Sequence, residues 1–499
     1  METLPITSRS YTLSDFLPAL HGPIKVELDH YSLESIRKSN KFLNDHLKKG
    51  TKIYGVTTGF GKFSQFNISV EDRHQLQLNL VRSHAAGVGE PFETGIVRTA
   101  MLIKLLTFAR GASGVREDVA NQLVHFINHD IIPVVPCKGS VGASGDLAPL
   151  SQIALALIGE ADVEFDGSII PATEALLKTN GHPLELHAKE GLSLINGTQI
   201  STALGLKVLS EAKTLLDQAD LIGAVSVEAS LSSATIFKPE IHALKAHPGQ
   251  RLSAKRIYAF LDGSEIVQSH TDCDRTQDPY SFRCIPHVHG ASRDMIAFTE
   301  EMIIREANSV SDNPLILENG DVISSGHFHG EAVAQALDAL AIAVCEIGAI
   351  SERRTHYFMK GIDDRIPAFV AVNPGLESGL MLAHVTATAL ASENKTLSHP
   401  ASVDSLPSSG GQEDQVSMAP WAGQKAQMIV DNVRKILAIE LLTSYRATSL
   451  FHKDLKPGIG TLPVLNLLSN NLNLPVAEFS PGPIIEKIDI LLKNNQGLQ

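Results

Sequence analysis

The chain has 499 residues, 43% of them hydrophobic, enough to bury a large core and to exclude wholesale disorder. Its net charge of −13 argues against a nucleic-acid binder, and no lysine–arginine cluster offsets the acidic excess. The opening METLPITSRSYTLSDF lacks the basic-then-apolar order of a signal peptide, and Asp338, Glu346 and Glu352 interrupt the longest apolar runs, so no membrane span is expected. Four scattered cysteines (Cys137, Cys273, Cys284 and Cys345) lack metal-like spacing and fit reduced thiols in a cytoplasmic protein.

The first 200 residues are mixed in texture, with short apolar runs between Gly, Pro and Asp. Residues 97–108 carry apolar side chains at helical spacing, and DIIPVVP, ending at Pro136, reads as an extended approach to a glycine-rich turn. Beyond Asn196 the texture changes. Segments 202–231, 294–308, 331–358 and 424–450 are long, rich in Ala, Leu, Ile and Glu, and nearly free of proline, which predicts a bundle of long helices. Loops are expected at 271–290, 311–328 and 398–420, and a last helix at 484–493. The predicted architecture is mainly α: a mixed part over 1–200, a central long-helix bundle over 201–453, and a C-terminal cap over 454–499.

Residues 139–151 read GSVGASGDLAPLS. The small residues Ala143-Ser144-Gly145 sit there between further glycines and an Asp-Leu-Ala-Pro run. In a tight bend the amide nitrogen of Gly145 can attack the carbonyl carbon of Ala143. Loss of water then closes a five-membered ring, and dehydration of Ser144 leaves an exocyclic methylidene. The product is a methylidene-imidazolone (MIO), an electrophile for amines made from the chain itself. Gly145 suits the attack because it has no Cβ in the way. The same tripeptide occurs as Ala112-Ser113-Gly114, so at least one copy is an ordinary turn.

Other polar residues are candidates only in combination. Tyr54, in KIYGVTTGFGKF, lies on a Gly/Thr-rich loop that could carry a tyrosine over a pocket or simply be anchored by it. Ser83-His84 borders a glycine-rich bend, where a lone histidine is more often structural. Asn196, in INGTQ, opens the helical region, with Thr198 a candidate cap. Gln277, Tyr280 and Arg283 recur at three-residue spacing and share a face if TQDPYSFRC is helical. There Arg283 could clamp a carboxylate and Tyr280 exchange a proton; a solvated turn is the alternative. Phe328 stands between two histidines in SSGHFHG, and Glu413 lies in GGQEDQVSM. His287-x-His289 and His327-x-His329 could each present two imidazoles on one side of a strand. Neither has the H-E-x-x-H pattern or a nearby cysteine pair, so no catalytic metal is expected. Ser392-x-x-Lys395 lacks the partner motifs of a serine acyl-enzyme, and no P-loop or dinucleotide fingerprint occurs.

Taken in order, from about residue 54 to about 450, these segments resemble the MIO-dependent aromatic amino acid ammonia-lyases and aminomutases, the histidine lyases most closely. The resemblance implies MIO formation at Ala143-Ser144-Gly145, with the earlier copy a non-cofactor turn. It implies a fold of the fumarase/aspartase-like superfamily and a homotetramer whose sites draw on three subunits. For substrate it points to the selector pair Ser83-His84 and the run Gln412-Glu413-Asp414, both as in histidine lyases; a carboxylate suits an imidazole N–H. The implied reaction is elimination of ammonia from L-histidine to give trans-urocanate, with a tyrosine or phenylalanine ammonia-lyase, or an aminomutase, as the alternative. Tyr54 is implied as the base, with Glu413 its rival. A tyrosine base calls for an electropositive site or an alkaline optimum, since phenols titrate near 10. Arg283 would hold the carboxylate, while Asn196, Gln277 and Tyr280 would orient the amine and the cofactor oxygen. His84 and Glu413 would bind the ring, with Phe328 packing near the cofactor. No metal, nucleic acid or membrane enters this reading. Two positions depart from the histidine-lyase pattern: His327 replaces the usual asparagine, and Gln415 the usual histidine.

Overall fold

The computed structural model describes residues 3–271 and 275–495, so Cys273 and loop positions 272–274 lie outside the described residues. The fold is mainly α-helical. Two compact units are each assembled from separate stretches: 1–207, 300–338 and 400–424 in the first, and 208–299, 339–399 and 425–499 in the second. Four of the five boundaries fall within the long helices Gln199–Ala229, Ile285–Ala307, Glu331–Met359 and Ala419–Phe451, and the fifth follows the helix Met381–Leu397. The longest has 33 residues and, at about 1.5 Å per residue, extends about 50 Å.

Every described strand belongs to the first unit. Thr3–Ile6 pairs in parallel with Lys25–Leu28, Val88–Pro91 antiparallel with Pro136–Lys138, and Asp162–Phe165 lies between Ile132–Pro133 and Ser168–Pro171. The strands Thr3–Ile6 and Ile132–Pro133 contact the helix Thr94–Ala109, which is buried at every position after the first. A helix enclosed on all sides must be apolar all round, and IVRTAMLIKLLTFA nearly is. Its two cations are satisfied internally. Arg98 donates to Asp130 at 2.7 Å and to the Ala19 carbonyl at 2.8 Å; Lys104 donates to backbone carbonyls described below.

The second unit is built of helices and their connections. Arg354 and Glu440 meet there with no exposure, Nη2 to Oε2 at 2.8 Å, and Ser226 and Ser351 also donate to Glu440. Asp220 accepts from His289 and Arg293. The helix Ile285–Ala307 starts earlier than periodicity predicts, because His287, His289 and Gly290 read as loop residues. His289 is buried against Asp220 at 2.9 Å, which makes it core. The helix Glu331–Met359 is long and apolar enough to cross a membrane by composition, but 72% of its apolar window is buried within the protein.

Candidate active site

The Ala143-Ser144-Gly145 turn is held at both ends. Gly142 and Gly145 form an isolated antiparallel bridge with Ala143 and Ser144 between them, and Gly145 also bridges Gly197. Gly142 has φ +69° and Gly145 φ +73°, the left-handed region that glycine enters without strain. A Cβ at position 145 would stand 2.1 Å from the Gly197 carbonyl oxygen, so only glycine fits. Beyond the turn, Asp146 N–H donates to the Gly197 carbonyl at 2.7 Å, and the Asp146 carboxylate accepts from the Ser201 amide at 2.8 Å and hydroxyl at 2.6 Å. Burial raises the Asp146 pKa, bonds from Ser201 oppose it, and the group settles at about 6.

This arrangement fits the cyclisation chemistry. The nucleophilic nitrogen carries no side chain, and the two residues between the bridged glycines are those whose atoms would close the ring. The other copy does not fit. The carbonyl that would be attacked there, that of Ala112, accepts from Ile316 N–H at 2.9 Å, and neither Ala112 nor Ser113 lines the cavity that holds Ala143 and Ser144.

A cavity of about 1440 Å³ opens in the first unit, and Tyr54, His84, Ala143, Ser144, Asn196, Phe328 and Glu413 all line it. Tyr54 sits in a turn; its hydroxyl accepts from Gly61 N–H at 3.0 Å and its ring meets Phe60 edge-on at 6.1 Å. His84 ends the helix Arg73–His84 with Nδ1 2.8 Å from the Leu80 carbonyl. A carbonyl only accepts, so Nδ1 carries a proton there. Glu413 accepts from Ser144 Oγ at 2.8 Å, Ser408 Oγ at 2.6 Å and Ser409 Oγ at 2.7 Å. Burial pushes its carboxyl up, but the three hydroxyls and the charge of His84 outweigh this and hold it below the usual glutamate value. Asn196 caps the helix Glu190–Ile195; its side-chain Oδ1 is buried with no hydrogen-bond partner among the described residues.

Three expected residues stand elsewhere. Gln277, Tyr280 and Arg283 belong to the second unit and do not line this cavity. Their shared helical face does not form, since the short helix begins at Tyr280 behind Pro279 and leaves Gln277 outside it. Tyr280 is 71% exposed, with the Arg283 guanidinium 4.6 Å from its ring centroid. The strand reading of His287-x-His289 also fails: both lie in a helix, where residues two apart point to nearly opposite sides. Among the described residues no group of three or more His, Cys, Asp or Glu could hold a metal. Of the two departures, Gln415 lines the cavity and His327 does not.

Sequence reasoning missed part of the wall. Leu76, Asn79 and Leu80 line it with Ser83 and His84, an i, i+3, i+4, i+7, i+8 face that helical spacing alone could have disclosed. Ser408 and Ser409, the donors that keep Glu413 ionised, lie in a serine-rich loop with no periodic signal.

With this geometry in place, the aromatic amino acid lyase family model matches residues 11–470. The chain belongs to that family. A histidine ammonia-lyase of Gloeobacter violaceus is 46% identical over 91% of this chain and 88% of its own length. The crystal structure of histidine ammonia-lyase from Trypanosoma cruzi superposes with a TM-score of 0.90 at 34% identity, covering 99% of this chain and 94% of that one. A tyrosine aminomutase from Streptomyces globisporus superposes with a TM-score of 0.93 at 31% identity, covering 100% of this chain and 98% of that one. The family therefore includes relatives named for different substrates and outcomes, and the side chains of the cavity must discriminate among them.

Proposed function

We propose that this chain eliminates ammonia from L-histidine to give trans-urocanate. The observation that carries the reading is the Glu413 carboxylate, kept ionised 2.8 Å from Ser144 in the cavity that also holds His84. A ring bearing an N–H donor and a nitrogen acceptor matches a carboxylate facing an imidazole; a phenyl ring offers neither. The histidine ammonia-lyases among the relatives support the same substrate.

The cofactor is MIO, made from Ala143-Ser144-Gly145. The first water takes the Ala143 oxygen with the amide hydrogens of Ser144 and Gly145; the second takes the Ser144 hydroxyl and its Cα hydrogen. Once formed, it supplies an electrophilic carbon that makes the substrate amine a good leaving group. No metal enters this chemistry. The remaining work falls to side chains. Tyr54 removes the β-proton, with Glu413 the rival base. His84 and Glu413 hold the imidazole, Asn196 orients the amine through its free Oδ1, and Phe328 packs beside the tripeptide. Arg283, Gln277 and Tyr280 complete the site from neighbouring subunits of a homotetramer, Arg283 holding the substrate carboxylate and the other two orienting the amine. The exposure of Tyr280 and the partnerless, buried Nε of Arg283 support contributions made on assembly. We place the enzyme in the cytosol, in keeping with the free thiols of Cys137, Cys284 and Cys345 and without a nucleic-acid or membrane partner.

The test is an ultraviolet assay with histidine, tyrosine and phenylalanine at equal concentration. Urocanate formation from histidine, well above product formation from the other two, is expected. Activity on tyrosine alone overturns the reading of His84 and Glu413, and a β-amino acid product makes the chain an aminomutase.

A further inference from the structure

Lys104 is a buried cation that the reaction does not use. It lies on the enclosed helix Thr94–Ala109 and is 2% exposed. Its Nζ donates to the Ser193 carbonyl at 3.0 Å and the Asn196 carbonyl at 2.6 Å. Those carbonyls end the helix Glu190–Ile195, where helical geometry leaves them without an amide partner. Gly197 N–H turns instead toward the Ser144 carbonyl at 3.5 Å, the Gly197 carbonyl accepts from Asp146, and Gly197 bridges Gly145. The Asn196–Gly197 backbone is thus gripped by Lys104 on one side and props the tripeptide on the other.

Burying an ammonium costs several kcal/mol unless it is compensated, so its retention in an enclosed, largely apolar helix calls for a reason. The charges around it are Asp312, Lys189 and Asp146, and the first two pair with each other at 3.1 Å with no exposure. Burial drives the Lys104 pKa down, Asp312 and Asp146 raise it, Lys189 lowers it, and it settles at about 7. A methionine would fill the same space without any of this.

We infer that Lys104 is a positioning residue for ring closure: by fixing the Ser193–Gly197 backbone it holds Gly145 against Ala143 in the geometry that cyclises. The inference rests on the proposal that the tripeptide becomes MIO. The nitrogen–carbon bond forms only if Gly145 N and Ala143 C stay in near-attack geometry, and a loosened prop lowers the time spent there.

The experiment follows intact mass after a pulse of expression in wild type, Lys104→Met and Lys104→Gln, with circular dichroism and oligomeric state measured in parallel. Wild type should become lighter by two waters. A folded Lys104→Met chain of wild-type oligomeric state should lose them at least roughly tenfold more slowly, a barrier increase of about 1.4 kcal/mol. Lys104→Gln, uncharged and one atom too short to reach both carbonyls, should also be slow. If either folded variant dehydrates at the wild-type rate, the inference is wrong while the MIO reading stands. If neither variant folds, Lys104 is a core residue and the inference is equally overturned. A wild-type chain of full mass sinks the MIO reading itself.

Discussion

Replacing Glu413 by glutamine separates ring recognition from base chemistry at one position. The glutamine amide keeps the shape and one acceptor oxygen, so the hydroxyls of Ser408 and Ser409 can still be arranged around it, the Ser144 hydroxyl having left as water when the cofactor formed. What disappears is the charge. A hydrogen bond to an ionised partner contributes about 1.5–3 kcal/mol, against about 0.5–1.5 for a neutral one. The loss of about 1–2 kcal/mol corresponds to a roughly 5–30-fold fall in kcat/KM for histidine. Phenylalanine has no ring N–H, so a neutral residue should leave its kcat/KM unchanged or raised. Steady-state ultraviolet assays on both substrates decide the matter. Equal changes for the two substrates would refute ring recognition by Glu413. A kcat loss of about 10²–10⁴ with unchanged KM would make Glu413 the base and displace Tyr54.

Three further outcomes are expected. Tyr54→Phe should lower kcat by about 10²–10⁴ with little change in KM; full retention of kcat would exclude Tyr54 as base. Ser408→Ala removes a 2.6 Å donor to Glu413, so its depressed pKa should rise toward the ordinary value. Activity that depends on the carboxylate is present above that pKa and lost below it, so the acidic limb of the kcat/KM profile should move to higher pH; a shift to lower pH would contradict the assignment. Far from the cavity, Arg354→Met leaves the Glu440 carboxylate buried beside only its serine donors and should destabilise the protein by about 3–5 kcal/mol. Arg354→Met combined with Glu440→Leu should recover most of that loss in denaturant unfolding, and no recovery would show that the pair's charges are not the cause.

The long helices were legible because a segment enclosed by other helices must be apolar over many turns, as 331–358 is. Their ends were less so. His287 and His289 look like loop residues until Asp220 is seen to bury one of them, and no local pattern records that partner. In the site, chemically unusual residues announced themselves: the tripeptide between glycines, Ser83-His84, and Glu413. Local sequence did not separate the two Ala-Ser-Gly copies; the family resemblance pointed to the second, and of the two only the second lines the cavity. Ser408, Ser409 and Lys104 stayed silent because each acts by a hydrogen bond to something remote in sequence, and a serine-rich loop or a lysine in an apolar run carries no sign of its acceptor. The helical face that would have joined Gln277 to Tyr280 and Arg283 did not form for a local reason, since the helix starts after Pro279.

The central claim is that Ala143-Ser144-Gly145 turns into an electrophile, and the intact mass of the purified chain tests it most directly. The mature protein should be lighter than its sequence by two waters, and Ser144→Ala, which has no hydroxyl to lose, should not show that double loss. A wild-type chain of full sequence mass that nonetheless releases ammonia from histidine would contradict the account.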